Sequence, residues 1–424
     1  MTFVKKSMTG MKDILPKEME LREYLLGIIQ SSYKSYGFNR IETPALEDIS
    51  NLTGGQGGDN EKLIFKILKR GEKLNLETAK KENDLVDAGL RYDLTVPLAR
   101  YYANNSDKLI SPFKSLQIGS VWRAERPQKG RFRQFTQCDI DILGDATNAA
   151  EIELILATTG VLSKLCPKNK FTLRINDRNI LSALVKASGI EEKDMSAVFI
   201  ILDKLDKIGI EGVKKELTEL GIDKEKVENY IAIINKLESS TDNKFKLEFI
   251  RENTKEFLPD DCIDGLLTII NVVEKCKTAD FNIIFDASLV RGMGYYTGTI
   301  FEVSMEGFSG SVAGGGRYDK VIGKFSSKEV PACGFSIGFE RIVTILMEMD
   351  FEPEKEPVKK AYLYEKGLND SAFIDILHKA KEDREKGLTV LVTAMNKNKK
   401  FQKEQLSLQG YTEFTEVYKE ELKK

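Results

Sequence analysis

The sequence predicts an α+β chain in three parts: a strand-rich body, a helical insertion that splits it, and a small α/β module at the C-terminal end. Three observations predict this. KSLQIGSVWRAE, RFRQFTQCDIDILG and FTLRIND read as short alternating or apolar strands, so strands outnumber helices in the first part. From about Arg178 to Lys277 the apolar residues shift to helical spacing with charged faces, and strand character then returns in FNIIFDASLV and GTIFEVSM. After the polar, proline-containing FEPEKEPVKK, a strand–helix–strand–helix pattern begins near Lys360.

In chain order, Leu21, Leu25, Ile28, Ile29 and Tyr36 fall on a helical stripe that Gly37 is suited to end. A strand then begins in FNRIETPALE, where Pro44 confines it to an edge or an interface. ATNAAEIELILATTGVLSKL forms an amphipathic helix before FTLRIND, and AGGGRYDKVIG is a glycine cluster followed by a helix through FERIVTILMEM. The resulting division is a catalytic body in residues 1–177 and 278–350, an insertion in 178–277, a linker in 351–359 and a terminal module in 360–424.

Composition narrows the function. Lys and Arg number 64 against 66 Asp and Glu, a net charge of -2, so affinity for a polyanion has to be local. Residues 359–424 carry 14 Lys and Arg against 11 Asp and Glu, a net of +3 that suits salt-sensitive contact with a polyanion. No apolar run reaches the roughly 18 residues of a membrane span, and the N-terminus lacks the apolar core of a secretory signal, so the expected location is the cytoplasm. The five cysteines are scattered without a CxxC, which argues against a disulfide framework or a thiolate zinc site, and no metal ligands are assigned. The one histidine, His378, lies in a lysine-rich helix and reads as a solvated residue, which leaves no Ser-His-Asp triad and no His-rich metal site.

The chemistry concentrates in VWRAERPQKGRFRQFTQCDIDILG, where Arg123, Arg126, Lys129, Arg131 and Arg133 fall within eleven residues. On a hairpin with PQKG at its tip, alternate positions share a face, so several guanidinium groups can meet phosphate oxygens while Phe135 offers a stacking surface; ATP fits that arrangement. Asp139 and Asp141 follow at once, and with Asp93 in RYDLTVPLARYYA they can pair with a substrate ammonium group. VRGMGYYTGTIFEV places Arg291 beside two tyrosines, and the glycines of AGGGRYDKVIG let backbone approach a ligand closely. No P-loop or strand-borne GxGxxG is present.

Together these segments resemble the class II aminoacyl-tRNA synthetases, and within them the histidyl-tRNA synthetase family. TGMKDILP and GFNRIETPALE resemble its N-terminal and first class-defining segments, and RYDLTVPLARYYA with RAERPQKGRFRQFTQCDID its second region. RGMGYYTGTIFE and AGGGRYD resemble its two histidine-specific motifs, and GFSIGFERI its third class motif. The resemblance runs in order over about residues 8–345.

That resemblance implies an antiparallel catalytic sheet flanked by helices, a homodimer formed partly through the Pro44 segment, and a two-step reaction with ATP, L-histidine and tRNA(His). It implies Arg123 and Arg291 at the α-phosphate as the catalytic pair, Arg131 and Arg341 around the outer phosphates and adenine side, Glu125 reading adenine, and Phe135 stacking on it. Mg2+ is implied at the β- and γ-phosphates. Asp93, Thr95 and Gln137 are implied at the α-ammonium group, Asp141 and Tyr296 at the imidazole nitrogens, with Tyr295 and Arg291 beside them. A site that hydrogen-bonds both imidazole nitrogens rejects amino acids that leave its buried groups unpaired.

Two departures from the family pattern stand out. Gly294 occupies a position where many members carry aspartate, and the terminal module is shorter than the usual anticodon-binding domain, ending after a third strand in GYTEFTEVY. The alternative reading is a catalytically silent relative, the regulatory subunit of ATP phosphoribosyltransferase, which generally lacks several of these motif residues. Arg123, Arg131, Arg291 and Arg341 are all present here, as are Asp93, Gln137, Asp141 and Tyr296.

Overall fold

The computed structural model describes residues 3–54, 60–128, 130–291, 295–308, 310–349, 351 and 357–419, so Lys129, Gly294 and most of the 351–359 linker lie outside the described residues. The chain divides into two units, residues 1–13 with 25–348, and residues 14–24 with 349–424.

Among the described residues the first unit is built on an eight-stranded sheet. Its order is Asn39–Arg40, Phe113–Trp122, Gln134–Leu143, Ala332–Ile337, Ser311–Arg317, Thr299–Met305, Phe171–Asp177 and Phe281–Phe285. The six central strands pair antiparallel, as the α+β reading expects, whereas both outermost pairs are parallel. The parallel pair Phe171–Asp177 and Phe281–Phe285 explains the helical stretch. Parallel neighbours need a crossover, and here the crossover carries helices Arg178–Ala187, Met195–Leu202, Leu205–Glu219, Lys224–Glu238, Asn243–Thr254 and Cys262–Cys276.

Local chemistry starts and stops these elements. Asp177 closes its strand and caps the next helix, its carboxylate accepting from the Asn179 backbone N at 2.7 Å. The same helix-start chemistry recurs at Asp223 and Asp242. The first helix opens with Pro16 and ends at Ser35, with Gly37 at φ +82° beyond it. Its buried stripe is Leu21, Leu25, Ile29 and Tyr33, while Ile28 and Tyr36 are only half-buried. Pro44 falls between the short edge strand Asn39–Arg40 and the strand Leu46–Asp48, in neither of them. Leu46–Asp48, Val86–Leu90 and Lys66–Leu68 form a separate three-stranded antiparallel sheet.

In the second unit Thr389–Ala394, Lys359–Tyr364 and Tyr411–Val417 form a parallel three-stranded sheet, with helices Asp370–Glu385 and Lys399–Ser407 as crossovers. Its core is small: Ala361, Leu363 and Leu406 on one side, Tyr362, Ile376 and Ala380 on the other. His378 is exposed on the first of these helices.

Candidate active site

The strands Phe113–Trp122 and Gln134–Leu143 form a long hairpin whose tip closes by reciprocal backbone bonds between Gln128 and Arg131. Gly130 sits there at φ +70°, a conformation that favours glycine in so tight a turn. Past the tip, side chains of Gln134–Leu143 alternate, and Gln137, Asp139 and Asp141 share one face.

Strand register carries that face across the sheet. Asp139 lies opposite Ser336, Ser336 opposite Gly314, and Gly314 opposite Glu302; in the next row Asp141 lies opposite Gly334, and Gly334 opposite Gly316. A floor of glycines thus separates acidic residues at either side. A Cβ on Gly334 would stand 2.1 Å from Oδ1 of Asp141, and a Cβ on Gly314 would stand 2.4 Å from the Arg291 guanidinium carbon. The glycine cluster therefore makes room for protein side chains over the sheet, and at Gly315, where a Cβ would meet the Gly334 carbonyl at 2.0 Å, for a neighbouring strand. Gly314 lines both of the cavities described next, and Gly334 lines the smaller, so backbone is open to a ligand there as well.

Two adjoining cavities open on this face. The larger, of about 540 Å³, is lined by Arg123, Glu125, Arg131, Phe135, Arg291 and Arg341, the residues expected around ATP. The smaller, of about 290 Å³, is lined by Asp93, Thr95, Gln137, Asp141, Tyr295 and Tyr296, the residues expected around histidine, and by Arg123 and Arg291 again. Arg123 and Arg291, far apart in sequence, thus line both cavities. Two cations of the basic run stand apart: Arg126 is exposed and Arg133 donates to the Glu125 and Thr9 carbonyls, at 3.0 and 3.3 Å, tying the N-terminal segment to the hairpin.

Each side chain is held. The Arg123 guanidinium lies over the rings of Tyr92 at 4.3 Å and Phe135 at 5.1 Å, and its Nε donates to the Tyr92 carbonyl at 3.2 Å. Arg291 is ion-paired through Nη1 with Glu302. Ser311 Oγ accepts from Nη1 of Arg291 at 3.4 Å and of Arg341 at 3.2 Å, and Arg341 also donates to the Ser311 carbonyl. Glu340 anchors the hairpin by accepting from the Thr136 backbone N at 3.0 Å. Burial, then the neighbouring Arg131 and Arg291, push the Arg341 guanidinium down.

The smaller cavity sets three acids beside the two shared arginines. Asp93, Asp139 and Asp141 are all buried. The Tyr318 hydroxyl donates to Asp141 Oδ1 at 2.6 Å, the Ser336 hydroxyl to Asp139 Oδ1 at 2.5 Å, and Gln137 Nε2 to Asp139 Oδ2 at 3.3 Å. Asp93 Oδ1 accepts from the Val96 backbone N at 3.0 Å, and the Tyr295 and Tyr296 hydroxyls meet at 3.3 Å. Burial lifts the Asp141 carboxyl to about 7, the Tyr318 hydrogen bond working against it and the nearby Asp93 adding to it. Burial and then the Asp141 charge raise Asp139 well above the usual carboxylate range. Acids crowded in this way are relieved by a cation, the property of an ammonium or imidazole-bearing ligand. Tyr92, Glu302, Ser311, Tyr318, Ser336 and Glu340 are absent from the residues expected here; Asp139, expected with Asp93 and Asp141 as a partner for a substrate ammonium group, lines the smaller cavity.

A family profile described as Histidyl-tRNA synthetase matches residues 10–342. The chain belongs to the histidyl-tRNA synthetase family. A histidine--tRNA ligase of Leifsonia xyli is 47% identical over 348 residues, covering 80% of this chain and 79% of that one. One of Christiangramia forsetii is 39% identical over 355 residues, covering 81% and 77%. The crystal structure of histidyl-tRNA synthetase from Nostoc superposes with a TM-score of 0.77 at 27% identity, over 96% of this chain and 90% of that one. A Bacillus halodurans chain described as an ATP phosphoribosyltransferase regulatory subunit/histidyl-tRNA synthetase reaches a TM-score of 0.78 at 19% identity, a likeness of fold alone. The fold is that of the class II synthetases, with a mixed sheet in place of a wholly antiparallel one.

The glycine floor is open to test by one methyl group. Gly314→Ala keeps a strand-compatible backbone but drives Cβ into the Arg291 guanidinium, so it is expected to fold normally and to lower adenylate formation at least tenfold. Thermal melting and ATP–pyrophosphate exchange together check this.

Proposed function

We propose that this chain activates L-histidine with ATP to histidyl-adenylate and transfers the histidyl group to tRNA(His), as a cytoplasmic, homodimeric class II synthetase. The observation that carries the reading is the meeting of an arginine-lined cleft and an acid-lined cavity that have Arg123 and Arg291 in common. In the first step an oxygen of the histidine carboxylate attacks the α-phosphorus and pyrophosphate leaves. Negative charge grows on the α-phosphoryl oxygens there, and Arg123 and Arg291 are the donors assigned to it; Arg131 and Arg341 take the outer phosphates, with Glu125 and Phe135 on adenine. Asp93, Thr95 and Gln137 hold the α-ammonium group, Asp141 and Tyr296 the two imidazole nitrogens, with Tyr295 beside them. In the second step a hydroxyl of the terminal ribose of the tRNA attacks the carbonyl and AMP leaves.

Magnesium enters as the companion of the ATP phosphates. The carboxylates of the larger cleft, Glu125, Asp203, Glu302 and Glu340, do not form a cage for it: Glu302 is paired with Arg291 and Glu340 with the hairpin backbone, and no group of three ligands is placed together among the described residues. The terminal module, with its net charge of +3 over residues 359–424, is assigned to tRNA contact.

The test is exchange of labelled pyrophosphate into ATP with each of the twenty amino acids in turn. Exchange with histidine alone is expected. Exchange driven by another amino acid would refute the substrate, and absence of exchange would favour the silent regulatory relative.

A further inference from the structure

The arginine-lined cleft contains a carboxylate that a phosphate site has no direct use for. Glu302 stands on the strand Thr299–Met305, in register with Gly314 on one side and Arg174 on the other, and its carboxylate pairs with Nη1 of Arg291. A negative charge that close to the expected α-phosphate opposes ATP binding, so its presence calls for a compensating role. The surrounding geometry supplies one. Arg291 and Arg341 both converge on Ser311, and their like charges push the two guanidinium groups apart. Arg291 also lies flat across Gly314, where its position is set by whatever grips its end.

We infer that Glu302 is a positioning residue for activation: resting on the reading that Arg291 meets the α-phosphate, it holds that guanidinium across Gly314 against repulsion from Arg341. Glu302 and Ser311 both take Nη1, which leaves the Nε–Nη2 edge as the fork presented to the phosphate. The group is preorganised before ATP arrives, and the site avoids the cost of reorienting it during the reaction. Asp203, from the end of the insertion helix Met195–Leu202, lines the same cleft, and its carboxyl is raised first by burial and then by Glu302.

The experiment is a double-mutant cycle read by histidine-dependent pyrophosphate exchange. Glu302→Ala is expected to lower the maximal exchange rate ten- to a hundredfold while the KM for histidine stays within about threefold, and Glu302→Gln, which keeps an acceptor but not the charge, to fall between it and wild type. In an Arg291→Ala background the same change at Glu302 is expected to cost less than about twofold, because the group it positions is gone. An equal loss in both backgrounds, or wild-type rates for both Glu302 variants, would overturn the inference. Should Glu302→Ala fail to fold, the cycle runs with Glu302→Gln under the same criteria. A wild-type protein without histidine-dependent exchange would instead remove the underlying reading, so the two failures are distinguishable.

Discussion

Arg291→Ala is expected to lower histidine-dependent pyrophosphate exchange at least a hundredfold while the protein stays folded. Removal of one preorganised donor from a transition-state charge typically costs about 10²–10³ in rate, and Arg291 lines both cavities. The fold should survive, because Arg291 is bound to Glu302 and Ser311 at the margin of the cleft and takes no part in the apolar core. The truncation does leave Glu302 without its cation, so a small drop in Tm at neutral pH is expected beside the large kinetic effect. Thermal melting and exchange assays on the same preparation decide the matter; near wild-type exchange from a folded variant would refute the role given to Arg291.

Asp141→Asn is expected to lower kcat/KM for histidine activation by a factor on the order of 10² or more and at the same time to stabilise the protein above neutral pH. The kinetic half follows from hydrogen-bond polarity. Asp141 gives one oxygen to the Tyr318 hydroxyl, and the other is assigned to an imidazole N–H. An asparagine that still accepts from Tyr318 turns an amide N–H toward that N–H, so two donors face each other. A mismatch of this kind in a buried site is worth a loss on the order of 10² or more in kcat/KM. The stability half follows from linkage. Burial raises Asp141 from 3.8 to about 7, so between those values the folded protein holds a proton that the unfolded chain has released. Its contribution to stability is fully present below about pH 4 and is lost as pH rises through about 7. Asparagine carries no charge to bury, so the variant should melt a few degrees above wild type at pH 8 and close to it at pH 4. A wild-type melting curve that does not move in this direction between those pH values, or a variant that follows the same course, would contradict the assignment.

The parts of the site that lie along one strand or one motif were legible in the sequence. Gln137 and Asp141 share a face by alternation, and the basic run pointed to Arg123 and Arg131 at the cleft. What spacing could not show was the pairing of distant strands. Glu302, Ser336 and Gly314 meet because Thr299–Met305, Ser311–Arg317 and Ala332–Ile337 are neighbours in the sheet at one register, and a slip of one residue would turn each to the other face. The glycines' contacts with Arg291 and Asp141 were hidden for the same reason, since those partners come from other elements. Arg133 was indistinguishable from Arg131 by composition, and only its bonds to the Glu125 and Thr9 carbonyls set it apart. The fold followed a similar division. The helical stretch was plain from its period, while its place as a crossover between two parallel strands depends on pairing that no local pattern encodes.

A crystal structure of the protein with ATP and histidinol, an analogue without the reacting carboxylate, puts all of these assignments in one view. The expected result is the α-phosphate within hydrogen-bonding distance of both Arg123 and Arg291, with the imidazole between Asp141 and Tyr296. Nucleotide bound with its α-phosphate beyond the reach of either arginine, or histidinol lodged away from Asp141, would contradict the account at its centre.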